Sequence, residues 1–158
     1  MSAAIRPIPD LDSAPFWEGL RRHELLVQRC ESCGVLQFPF RPACVSCLAS
    51  SPTTHPVSGR GTLLSWVVTH RAFHPAFSEY LPYTTALVRL AEQDDLLMYG
   101  TWIDVEPPQA EGVAVIARFV DHDGFTLLEW SPRRDDDTGE RREARGGAAR
   151  SRPRSSSV

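Results

Sequence analysis

Cys30, Cys33, Cys44 and Cys47 are the only cysteines of this 158-residue chain, and they fall as two Cys-x2-Cys pairs separated by ten residues. No other feature constrains the fold so tightly. Each pair presents two thiolates from one tight turn, and four sulfurs at about 2.3 Å satisfy a Zn2+ ion, which has no geometric preference of its own. Iron in the same ligand set and disulfides are the competing readings, but two close pairs with no further cysteine favour metal over bridges. Gly34, directly after the second cysteine, allows the positive φ of a metal knuckle. With four protein ligands the site is closed, so it is expected to be structural, with no position for substrate or activated water.

The length suits one domain, and an apolar content of 42% suffices for a packed core. No apolar run approaches the roughly 20 residues of a membrane span. Residues 1–16 hold neither a basic stretch nor a continuous apolar one, so a cytoplasmic protein is expected. All 17 basic residues are arginine. Residues 1–132 carry nine of them against fifteen acids, net −6, whereas residues 133–158 carry eight against five, net +3. An acidic body argues against a surface that tracks nucleic-acid phosphates, which needs clustered cations.

Residues 1–12 read as extended. Ser13, Ala14 and Pro15 read as an N-cap with proline in the first turn, and Phe16, Leu20 and His23 recur at helical spacing to about residue 23. Leu25, Leu26 and Val27 suit a strand feeding the first knuckle, and Phe38-Pro39-Phe40-Arg41-Pro42 forms a stiff extended arm between the knuckles. From Gly59 the pattern changes to period two. Five strands are predicted, at about 60–71, 83–91, 95–103, 113–121 and 125–130, separated by Pro, Asp and Gly turn signals. The fold class is therefore mainly β: helix and metal ribbon over 13–50, then a five-stranded oligonucleotide/oligosaccharide-binding (OB) barrel over 51–132, with a five-stranded sandwich as the alternative. Residues 133–158 lack apolar periodicity and are expected to be disordered.

No nucleophile, base and orienting group stand out together. The densest polar and aromatic cluster follows the first long strand: His70, Arg71, Phe73, His74, Phe77, Tyr80 and Tyr83. Arg71 could hold a phosphate or carboxylate against an aromatic wall, or the loop could rest on a partner or the barrel rim. Trp66 and Trp102 fall inside strand patterns and read as core. Phe16 and Trp17 place two large aromatics on a short helix with little of its own domain to pack on, which points to docking.

The order of these motifs resembles the DUF35 family. Pro15-Phe16-Trp17-Glu18-Gly19-Leu20, then Leu25 to Cys30, Cys33-Gly34, Phe38 to Pro42, Cys44 and Cys47, then Gly61 and Pro82-Tyr83, carry the likeness over residues 14–132. The resemblance implies a rubredoxin-like zinc ribbon joined to an OB-fold. It also implies a non-catalytic scaffold subunit of a thiolase-like acyltransferase, aldolase or hydratase complex, with CoA or acyl-CoA shared with the partner. On that reading Arg71, His74, Phe77, Tyr80 and Tyr83 are candidate CoA or partner contacts. Two other readings compete: a zinc-ribbon/OB nucleic-acid binder, and a stand-alone acyl-CoA hydratase or thioesterase using His70 or His74.

Overall fold

Ahead of the first cysteine the chain builds the helix α1, from Ala14 to Arg21. The computed structural model describes residues 6–50, 52–104, 106–134 and 137. Ser13 does sit at the N-cap, but its side chain caps nothing in the helix. Instead its N–H donates to the Asp10 carboxylate at 2.7 Å and its hydroxyl accepts from the Asp10 N–H, which closes a local box before the first turn. The helix stops two residues earlier than its periodicity predicts, because His23 adopts φ 57° and turns the chain away. Gly19 makes that turn possible: a Cβ there would lie 2.7 Å from Leu26 Cγ and 2.8 Å from the Glu24 carbonyl.

The turn leads into β1 (Leu26–Cys30), the centre of a three-stranded antiparallel sheet with β2 (Leu36–Gln37) and β3 (Pro52–Pro56) at its edges. Although β3 lies past residue 50, it pairs with β1 from Leu26↔Pro56 to Cys30↔Pro52. The ribbon's sheet therefore runs to residue 56, and the barrel's pairing begins at Arg60.

The barrel comprises β4 (Arg60–Thr69), β5 (Tyr83–Leu90), β6 (Leu97–Trp102), β7 (Ala114–His122) and β8 (Phe125–Pro132). It closes in the order β4-β5-β6-β8-β7, with β4 returning to pair with β7. Closure removes the sandwich alternative and gives the OB-like topology expected from five alternating strands. The weakest seam is β6 to β8, parallel and paired only at Thr101↔Glu129 and Trp102↔Trp130.

One core serves both halves. Phe16 and Leu20 of α1, Leu25 to Val27, and Phe40 of the arm join Leu63, Val88, Met98, Val115 and Trp130 of the barrel in a single buried cluster. Phe16 was expected to reach outward; it is only 9% exposed, packed edge-on to Trp17 and tilted against Phe38. The helix has a surface to pack on because α1 lies against β8, which the sequence pattern did not reveal. Trp102 is core as expected, and Trp66 is half-buried at its margin. Apart from Arg133, Arg134 and Asp137, the expected disordered tail over residues 133–158 lies outside the described residues. Among the described residues no helix is long and apolar enough to cross a membrane.

Candidate metal centre and partner surface

The two knuckles repeat one another atom for atom in their backbone bonding. The Gly34 N–H donates to the Cys30 carbonyl at 2.8 Å and the Cys30 N–H to the Val35 carbonyl at 3.0 Å. The Leu48 N–H donates to the Cys44 carbonyl at 3.1 Å and the Cys44 N–H to the Ala49 carbonyl at 2.9 Å. Gly34 takes φ 77°, as the sequence suggested, and Leu48 occupies the matching place at φ 62°. In each knuckle the first cysteine is buried and the second exposed.

Folding back on each other, the knuckles bring all four sulfurs within 4.8 Å. Cys30 Sγ lies 3.6 Å from Cys47 Sγ, and Cys33 Sγ lies 3.6 Å from Cys44 Sγ. A tetrahedron of sulfurs about 2.3 Å from its centre has edges of about 3.8 Å, whereas a disulfide needs about 2.05 Å. The spacing fits an ion and excludes bridges. The local electrostatics agree. Backbone N–H groups of Cys47 and Ser46 draw the Cys44 thiol down to about 6, and the Cys33 N–H lowers Cys30. Cys47 faces the Ala49 N–H, yet crowding against Cys33 and Cys30 pushes its thiol up to about 12. Four thiolates can coexist here only around a cation, which is the chemistry a structural zinc supplies.

Two glutamines that sequence reasoning passed over hold the frame of this centre. Gln28 and Gln37, both buried, face each other across β1 and β2. Gln28 accepts from the Arg41 N–H at 2.7 Å and donates to the Arg41 carbonyl at 3.0 Å, so its amide pairs with the arm as a strand would. Gln37 donates to Gln28 Oε1 at 2.9 Å and accepts from the Val45 N–H at 2.9 Å, reaching the second knuckle. Their sequence signal is slight: Gln28 follows the apolar run Leu25-Leu26-Val27 two residues before Cys30, and Gln37 falls between the two cysteine pairs.

The second candidate region lies at the barrel's opposite character, an exposed apolar loop. Between β4 and β5 the chain forms a 3-10 turn, Pro75–Tyr80, whose N-cap is His74. His74 Nδ1 accepts from the Ala76 N–H at 3.2 Å, so this ring shapes the loop. Phe73 is 90% exposed, Tyr80 57% and Phe77 39%. Phe77 approaches Tyr83 with ring centroids 6.2 Å apart. Of the predicted contact residues, the fold brings Phe77 and Tyr83 together and leaves Arg71, His74 and Tyr80 exposed.

Two open depressions are found among the described residues. The larger, about 470 Å3, lies by Trp102, Pro107, Pro108 and Pro132, with Asp104 and Glu106 as ionisable lining. The smaller, about 220 Å3, lies where α1 meets the β6–β8 seam. Trp17 forms one wall of it, facing Thr85, Tyr99 and Thr101.

Comparison with known proteins agrees with both halves of the fold. Residues 17–53 match the family model described as the ChsH2 rubredoxin-like zinc ribbon domain, and residues 54–123 match the ChsH2 C-terminal OB-fold domain. The 3-oxo-4,17-pregnadiene-20-carboxyl-CoA hydratase alpha subunit of Mycobacterium tuberculosis is 37% identical over 132 residues, 82% of this chain and 40% of that one. A DUF35 domain-containing scaffold protein of Pyrococcus furiosus is 34% identical over 119 residues, 71% of this chain and 85% of that one. Among solved structures, a chain of the Ltp2-ChsH2(DUF35) aldolase superposes with a TM-score of 0.71 at 30% identity, covering 80% of this chain and 98% of that one. The chain spans about two fifths of the length of the hydratase subunits it matches.

Proposed function

This chain belongs to the DUF35 family, and we propose that it is a non-catalytic accessory subunit that scaffolds an acyl-CoA-processing enzyme of the thiolase-like, aldolase or hydratase kind. The observation that carries this reading is the pairing of a closed four-sulfur centre with a solvent-exposed aromatic loop. The sulfurs leave no coordination position for chemistry, and Phe73, Phe77 and Tyr80 stand exposed beside the barrel where a partner surface would cover them. Its relatives, a hydratase subunit, a scaffold protein and a chain of an aldolase complex, support the same role. Zn2+ is the proposed occupant of the cysteine centre, one ion per chain. Arg71, Phe77, Tyr80 and Tyr83 are the proposed contacts to the partner or to its CoA, with His74 holding the loop in shape.

The test is co-expression with a thiolase-like or hydratase subunit of the same organism. The purified complex should contain one zinc per copy of this chain, and acyl-CoA turnover should require the larger subunit. Phe73→Ala with Tyr80→Ala should weaken association at least 10-fold while leaving the zinc content unchanged. Turnover by this chain alone, lost on His70→Ala or His74→Ala with the fold intact, would instead make it an enzyme in its own right.

A further inference from the structure

The outer face of the barrel has a feature that the loop does not explain. Strand register aligns Val67, Thr85, Thr101 and Glu129 in one row across β4, β5, β6 and β8, with Tyr99 and Leu97 beside it on β6. Val67 is 59% exposed, Tyr99 68% and Leu97 38%, an apolar and aromatic strip on strands that bury Leu63, Ala86, Val88, Met98 and Trp130. Trp17 of α1 borders the strip through the small groove at the seam. The half-buried carboxylate of Glu129 closes the row.

Glu129 has the wrong surroundings for a residue content with solvent. Burial raises its carboxyl, and only the distant attraction of His122 works the other way. The cation directly opposite it in register, Arg118 on β7, is turned elsewhere. Its Nε donates to Ser131 Oγ at 3.0 Å and its Nη2 to both Asp137 oxygens at 2.8 and 3.0 Å. Among the described residues no ion pair reaches Glu129. A partly desolvated carboxylate bordered by exposed aromatic and aliphatic side chains is complementary to a lysine or arginine delivered on an apolar surface.

Resting on the scaffold reading above, we propose that this strip is a docking surface for the partner subunit. Its occupant is a protein face that presents a Lys or Arg to Glu129 and apolar side chains to Tyr99, Val67 and Trp17. The acidic body makes nucleic acid the wrong partner for it, since the row offers a carboxylate where phosphates would lie.

The experiment compares the full chain with Glu129→Gln, Glu129→Arg and Tyr99→Ala for affinity to the same co-expressed enzyme subunit, at low and high salt. Expected are losses of about 10-fold for Glu129→Gln and Tyr99→Ala and at least 100-fold for Glu129→Arg. The salt dependence of the wild type should be reduced in Glu129→Gln, a change that a merely structural role would not produce. Zinc content and thermal unfolding of each variant show whether the fold is kept. If the wild type binds and the three folded variants bind equally well, the docking surface is wrong and the scaffold reading stands. If the wild type binds no such subunit, both fall. Concentration-dependent self-association abolished by Tyr99→Ala would make the occupant another copy and overturn the proposal.

Discussion

Single residues set the local geometry here, and Leu48 is the clearest case. It repeats the position of Gly34 in the second knuckle with φ 62°, a conformation that costs a side-chain-bearing residue roughly 1–2 kcal/mol. Leu48 is 77% exposed, so little packing offsets the strain. Leu48→Gly should stabilise the zinc-loaded protein by about 0.5–1 kcal/mol after the extra chain entropy of glycine, raising Tm by ~2 °C or more. A lower Tm would mean that Leu48 makes a contact worth more than its strain. Asp121 tells a similar local story in charge. His23 Nε2 lies 3.0 Å from its carboxylate and Thr126 donates to it at 2.8 Å, so His23 first and Thr126 second hold it below its usual 3.8. A carboxyl lowered in the folded state contributes stability above the unfolded value, lost as pH falls below about 4 through the folded value. Asp121→Asn should therefore flatten the acid limb of an unfolding titration. An unaltered acid limb would remove this pair from the linkage.

At the scale of elements, the strands were legible because alternation over eight or nine residues leaves little choice of period. Tyr83–Leu90 alternates half-buried and buried residues without a fault, as period two requires. β3 was not legible: Pro52-Thr53-Thr54-His55-Pro56 has neither apolar alternation nor β-rich composition, and exists because β1 needs an edge partner. The contact of ribbon with barrel was equally hidden, since it depends on side chains far apart in sequence. Gln93, in the β5–β6 turn, accepts from the Leu36 N–H at 2.8 Å and donates to the Leu36 carbonyl at 2.7 Å, imitating a strand against β2. Gln93→Ala should remove both bonds and cost about 1–3 kcal/mol, with faster hydrogen exchange at Leu36 and Gln37. Exchange unchanged there would show that β2 is held by the knuckle alone. Inside the barrel, Gly100 is fixed by packing, because a Cβ would lie 2.6 Å from the indole of Trp130. Gly100→Ala should destabilise by roughly 1–3 kcal/mol, read by denaturant unfolding. A neutral result would mean that Trp130 can shift within its core.

At the scale of the whole molecule, the metal centre and the barrel are coupled through one core. The sequence alone invites a picture of two independent units, with chelation dissolving only the ribbon. Yet Leu25, Leu26, Val27 and Phe40 sit between the sulfurs and the barrel interior in the shared cluster. Chelation should therefore abolish protection from exchange over residues 26–50 and also lower the Tm of the barrel, while β7 and β8 keep the slowest amides. An unchanged barrel Tm after complete zinc removal would mean that the halves fold separately.

By itself the sequence determined the closed cysteine centre, the five strands and the family, because ligand spacing and strand period are short-range properties written in neighbouring residues. Only the tertiary structure decided that Phe16 turns inward, that Gln28, Gln37 and Gln93 replace missing backbone partners, and that Glu129 stands without its cross-strand arginine. These depend on which distant surfaces meet when the barrel closes, and burial and pairing across such distances have no periodicity that a linear chain displays.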